Sequence, residues 1–122
     1  MGRFRVNAHF QQGTIGLAFR AISSSVPALE DLNLPAVAQS LVTCPRGLVL
    51  VTGPTGSGKS TALASMIDAM NKLYAHHIIT LEDPIEYEIK SRKSVIEQRE
   101  VGSDVTTFGS GLRHALRQDP DI

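Results

Sequence analysis

The stretch Gly53-Pro54-Thr55-Gly56-Ser57-Gly58-Lys59-Ser60 restricts what this chain can fold into more than any other. An apolar, β-branched run, Gly47-Leu48-Val49-Leu50-Val51-Thr52, precedes it, and residues 61–73 after it carry helical spacing. A buried strand, a glycine loop and a helix in that order are the setting of a phosphate-binding loop. The glycines permit positive φ and put no side chain between backbone and ligand, so successive N–H groups converge on phosphate oxygens at the start of the helix. Lys59 then places a positive charge on the β- and γ-phosphates, and the Ser60 hydroxyl is a hard ligand suited to Mg²⁺. With average residue usage, G-x-x-x-x-G-K-[ST] arises by chance in about one chain of this length in a few hundred. The flanking strand and helix make an ordinary Gly-rich turn a poorer explanation still. The nucleotide-holding set is therefore Gly53, Thr55, Gly56, Ser57, Gly58, Lys59, Ser60 and Thr61.

The 122 residues amount to one domain, and 42% hydrophobic with 20% charged residues suits a globular protein with a packed core. Twelve basic and twelve acidic side chains cancel, so no global field draws the chain to nucleic acid or anionic lipid. The single cysteine, Cys44, excludes an internal disulfide and a cysteine zinc site, and reads as a buried or half-buried bystander. No stretch approaches the length of a membrane span and the first residues lack a signal-peptide pattern, so a cytoplasmic location without direct membrane insertion is expected.

Residues 3–10 alternate, with Phe4, Val6, Ala8 and Phe10 on one face, and predict a half-buried strand. Gln11-Gln12-Gly13-Thr14 supplies a turn, and residues 15–22 alternate again, completing a hairpin. Residues 23–27 read as a linker, 29–32 as a short helical stretch, and Pro35 as a helix start followed by Val37, Leu41 and Val42 on one side. Beyond the glycine loop, Leu63, Met66, Ile67 and Met70 predict an amphipathic helix with its methionines in the core. Residues 78–81 predict a buried parallel strand reached by a right-handed crossover and stopped by Pro84, and 95–98 a third strand. Phe108, Leu112, Ala115 and Leu116 mark a last helix, weakened by Gly109 and Gly111. A phosphate-loop fold also needs a strand carrying an acidic residue near Mg²⁺, and none is expected before Ile122.

Glu82-Asp83-Pro84-Ile85-Glu86 falls at the C-terminal end of the second core strand, the edge of an open α/β sheet where ligands bind. Carboxylates there would hold Mg²⁺-bound water or orient the water that attacks the γ-phosphate; a solvated turn is the alternative. Arg20, Arg99, Arg113 and Arg117 are candidates for charge stabilisation, with plain surface roles equally open for Arg113 and Arg117. His76 and His77 have no Cys or carboxylate at ligand spacing, which favours strand entry or capping over metal.

Three segments then combine. GPTGSGKST at 53–61, HIITLEDPIEYE at 77–88 and LRHALRQDPDI at 112–122 together resemble the secretion ATPases that drive type II secretion and type IV pili. Within that family, RFRVNA at 3–8, the run at 45–60 and Gln98-Arg99-Glu100-Val101-Gly102 are most similar to the PilT-type, pilus-retracting branch. The resemblance implies an α/β, RecA-like P-loop core over 25–122, truncated before its Walker B strand, preceded at 1–24 by the last hairpin of an N-terminal domain. It implies a homo-hexameric ATPase using ATP and Mg²⁺, working on a pilus or secretion platform protein of the inner membrane, peripheral to it, with pilus-assembly and type II secretion motors as sister readings. Glu86 and Glu82 match the acidic box, Glu86 as the group that positions or activates water, with Glu82 near the metal. Arg20 matches an arginine that reaches a neighbouring subunit's nucleotide, and Arg113 and Arg117 match basic residues near that site. Gln12 and Ser23 depart from the family pattern, which has a basic residue and a proline there. A small-molecule kinase would need an acceptor pocket that nothing in the sequence supplies, and an inert nucleotide-binding or interaction module is the remaining alternative.

Overall fold

The computed structural model describes residues 3–23 and 25–122, an α/β arrangement built around one long helix. Strands β1 (Arg3–Gln11) and β2 (Thr14–Ile22) form an antiparallel hairpin in register, with Arg5 opposite Arg20 and Val6 opposite Phe19. The turn is the two residues Gln12 and Gly13, both at positive φ (47° and 74°), the conformation whose twist matches that of the flanking strands. Ser24 in the expected linker lies outside the described residues.

The expected half-buried character of this hairpin is not met. Phe4, Val6 and Phe10 on β1 and Ile15, Leu17 and Phe19 on β2 are all exposed, because no other described element covers their face. Alternation reports which residues share a face, not whether a partner lies against it.

A 3-10 turn at Leu29–Leu32 and helix α1 (Ala36–Val42) lead to the glycine loop. Helix α2 (Lys59–Leu73) starts on Gly58 and buries Met66 against Leu29 and Val42, with Leu32, Leu41, Ala69 and Met70 around them. Taking Leu29, Val42 and Met66 out of water contributes about 1.5–3 kcal/mol each. Val37 and Leu63, expected inside, are exposed.

Strands β3 (His77–Glu82) and β4 (Val95–Glu100) pair in parallel, Ile78 beside Ile96, and Ile78 is fully buried. The Ile122 N–H donates to the His77 carbonyl (3.2 Å), and its own carbonyl accepts from the Ile79 N–H (2.9 Å), the pattern of a parallel pair. Backbone groups of successive strand residues face opposite edges. Since the His76 and Glu82 carbonyls serve β4, the last residues of the chain occupy the other edge of β3.

The apolar run 47–52 was expected to be a buried strand and is not one. No described strand pairs with it, and Leu48 and Leu50 are 84% and 75% exposed. A strand exists only through its neighbours' hydrogen bonds, so composition that suits one is not sufficient.

Helix α3 (Phe108–Ala115) is capped by Thr107, whose hydroxyl accepts from the Ser110 N–H at 3.1 Å. Its buried residues are Gly111 and Ala115; Phe108, Leu112 and Leu116, expected to form its packing face, are exposed. A Cβ at Gly111 would stand 2.9 Å from a Leu81 methyl, so the glycine that weakens the helix also lets it lie close on β3. Cys44 is exposed, contrary to expectation. Among the described residues no helix is long and apolar enough to cross a membrane.

Two polar clasps complete the core. Asn71, with no exposed surface, donates from Nδ2 to the Lys90 carbonyl (2.8 Å), and its Oδ1 accepts from the N–H groups of Arg92 (2.9 Å) and Ser94 (3.3 Å). On β4, Arg99 bonds both Glu97 and Gln118, while Glu97 also meets His77 Nε2 at 3.3 Å, so the segment after α3 is tied to the sheet. The hydrogen bond from Arg99 holds the Glu97 carboxyl below the ordinary carboxylate range against a smaller desolvation effect, with His77 adding to the lowering. A depressed carboxylate stabilises the fold above its unfolded pKa and loses that contribution as pH falls through its folded pKa. Equilibrium unfolding of the protein is therefore expected to show an acid-side loss of stability that is reduced in Glu97→Gln. The effect is small, because the carboxylate is partly exposed and screened.

Candidate functional site

The loop 53–58 has the backbone that its glycines predict. Gly53, Gly56 and Gly58 are at φ 151°, 80° and 89°, and Gly58 forms the start of α2 in the left-handed region with no side chain capping the helix. The first amides of α2 have no partner within the helix and carry the positive end of its dipole, so they face outward as donors for an anion. The φ of 151° at Gly53 is one that residues with a Cβ rarely adopt, and a Cβ there would also push on the Ser57 hydroxyl at 2.7 Å. The Lys59 ammonium is folded back onto the loop, donating to the carbonyls of Gly53 (3.0 Å) and Pro54 (2.8 Å). Thr55, Gly56, Ser57 and Ser60 are exposed and Thr61 is half-buried.

Opposite α2, the acidic segment follows directly from β3. Ser60, Glu82, Asp83 and Glu86 line one cleft of about 350 Å³, together with Thr80, Tyr87 and Gln98. The cleft is also lined by Leu63, Ala64, Ile67 and Phe108, and among the described residues no group of three His, Cys, Asp or Glu side chains is placed to hold a metal ion. Glu82 is held by Thr80 Oγ1 (2.7 Å) and Gln98 Nε2 (3.0 Å), whereas Glu86 is exposed and accepts no hydrogen bond from any described residue. Arg20 reaches the same segment from the hairpin: with Arg5, Pro84, Glu86 and Tyr87 it lines a second cleft of about 220 Å³. Arg113 and Arg117 are exposed and line neither cleft. Arg99 is engaged with Glu97 and Gln118, a tie between sheet and tail.

The sequence reading missed Gln98 and Tyr87. Gln98 Nε2 also donates to the Tyr87 carbonyl (2.8 Å) and its Oε1 accepts from the Ile89 N–H (2.8 Å), so one amide side chain fixes both ends of the acidic loop's second half. The Tyr87 hydroxyl meets Thr61 Oγ1 at 3.0 Å. The sequence carries no signal for Gln98, because β4 reads Val-Ile-Glu-Gln-Arg-Glu and one polar residue among four does not stand out.

Fold and site together define a mixed α/β chain with a glycine loop opening its main helix and an acidic loop facing it. Residues 15–122 match the family model of the Type II/IV secretion system protein, and the chain belongs to that family. It is 52% identical over its whole length to the type IV pilus retraction ATPase PilT of Pseudomonas aeruginosa, covering 36% of that protein. It is 49% identical over its whole length to a twitching motility protein of Neisseria gonorrhoeae, covering 33% of it. A crystal structure of the pilus retraction motor PilT with bound ADP superposes with a TM-score of 0.95 at 51% identity, over 98% of this chain and 35% of that one. The chain thus spans about a third of the length of the relatives it matches.

Proposed function

We propose that this chain is the ATP-binding part of a hexameric motor ATPase that powers type IV pilus retraction, the basis of twitching motility. The observation that carries the reading is the cleft in which Ser60, at the start of the glycine-loop helix, faces Glu82 and Glu86. The whole-length identity to retraction ATPases supports the same assignment. In it residues 25–122 are part of a RecA-like core and residues 1–24 the end of a preceding domain. The parallel pairing of Ile122 with β3 supports the RecA-like reading, in which a strand lies at that edge.

Each residue then has a task. The amides of residues 55–61 and the Lys59 ammonium bind the phosphates. Ser60 and, through water, Glu82 would hold Mg²⁺, which when bound neutralises charge on the β- and γ-phosphates. Glu86, free of other partners among the described residues, orients the attacking water and accepts its proton. Arg20 is exposed on the hairpin, where it serves a nucleotide held by a neighbouring copy, and Arg113 and Arg117 add positive charge near that junction. The motor works at the cytoplasmic face of the inner membrane through a platform protein of the pilus machinery.

Titration of the protein with MgATP, followed by amide NMR shifts or hydrogen exchange, tests this. Perturbation concentrated at 55–61 is expected, with weak affinity and negligible hydrolysis by this chain alone. No perturbation at saturating MgATP, or brisk turnover at low micromolar protein, would refute it.

A further inference from the structure

The acidic loop 83–88 hangs between three bodies, and its ties are unequal. Toward β4 it is held by Gln98 at the Tyr87 carbonyl and by Glu100, whose Oε2 accepts from the Ile85 N–H at 3.1 Å. Toward the hairpin, the Tyr87 backbone forms an isolated parallel bridge with Ser23, and Arg3 pairs with Glu88 at 3.6 Å. Toward the glycine-loop helix, one hydrogen bond is recorded among the described residues: that between the hydroxyls of Tyr87 and Thr61. Tyr87 alone takes part in all three.

We infer that Tyr87 is a positioning residue: its hydroxyl, bonded to Thr61, sets Glu86 against the glycine loop and passes nucleotide occupancy to the end of the hairpin at Ser23. The inference rests on the nucleotide-binding reading above. Thr61 stands in the first turn of α2, whose amides would close on phosphate, so any settling of that turn moves its hydroxyl. A hydroxyl carries one donor and two acceptor positions, so Thr61 keeps its bond to Tyr87 while contacting a ligand. The next residue back from Tyr87 is Glu86, and the Ser23 bridge lies on Tyr87's own backbone. One displacement at Thr61 therefore shifts both the carboxylate and the hairpin end. Packing of α2 on the sheet is the competing route, and it does not pass through the hydroxyl.

Coupling needs evidence at both sites, and peptide-resolved hydrogen exchange supplies it. With MgATP saturating, peptides over 55–62, over 83–88 and over 18–26 are all expected to exchange more slowly. The effect on the last two should be about fivefold or more, the low end of coupling between linked sites. In Tyr87→Phe, which removes one oxygen and keeps the ring, the slowing at 55–62 should persist when MgATP is raised to saturation. The slowing at 83–88 and 18–26 should disappear. Retention of the remote effect in Tyr87→Phe overturns the inference and leaves nucleotide binding standing. So does wild-type protein that is protected at 55–62 but not at 18–26, a result that needs no variant to fold. Absence of any protection at 55–62 in wild type instead removes the nucleotide-binding reading and this inference with it.

Discussion

Lys59→Ala should weaken MgATP binding about 100-fold, the loss of about 2.7 kcal/mol. The size follows from where the charge sits. An ammonium about 4 Å from a phosphate charge near a protein surface is worth about 4 kcal/mol, from which the cost of desolvating it is subtracted. In the present structure the same ammonium bridges the carbonyls of Gly53 and Pro54, so it also draws the two ends of the loop together. Lys59→Ala removes both the charge and this brace. Lys59→Arg keeps the charge but replaces a compact group having three donors with a planar fork, and is expected to recover binding only in part. Titration with a fluorescent ATP analogue measures both, with far-UV circular dichroism confirming the fold. Affinity within threefold of wild type in Lys59→Ala would mean that the loop does not hold polyphosphate.

The largest stability effect is expected at Asn71. Leucine has a similar volume, so Asn71→Leu leaves the helix packed but strands the Lys90 carbonyl and the N–H groups of Arg92 and Ser94 without their partner. At about 1–2 kcal/mol for each unsatisfied group, the loss comes to about 3–6 kcal/mol, a large part of what a chain of this size has. Urea unfolding would register it as a lower midpoint with an unchanged slope. Asn71→Ala should cost less than Asn71→Leu if water enters the vacated space and bonds the same groups. A loss below 1 kcal/mol in Asn71→Leu would show that the 90–94 segment is not anchored by this side chain.

Asn71 also shows why part of the core was not legible in advance. On a helical wheel it joins Asp68 and Ser65 on the buried side of α2, beside Met66, which was expected in the core, whereas Leu63, also expected there, is exposed. Nothing in helical spacing announces that a polar side chain will meet a loop twenty residues later. The same holds for Gln98 and Tyr87, whose partners, Glu82 and Thr61, lie in distant parts of the chain. Conversely, Phe108, Leu112 and Leu116 have the spacing of a packing face, yet α3 meets β3 through Gly111, because close approach to Leu81 needs the absence of a side chain.

What the sequence determined by itself was local: the turn at Gln12-Gly13, the glycine conformations of the phosphate loop, the start of α2, and the stop at Pro84 after β3. Each depends on φ preferences and spacing within a few residues, which the order of side chains carries directly. The tertiary structure alone decided which apolar runs are covered, leaving 47–52 unpaired and the hairpin face open, and which polar groups hold Glu82. Burial and convergence are properties of pairs of segments, and a pair is formed only when the chain has brought both members together.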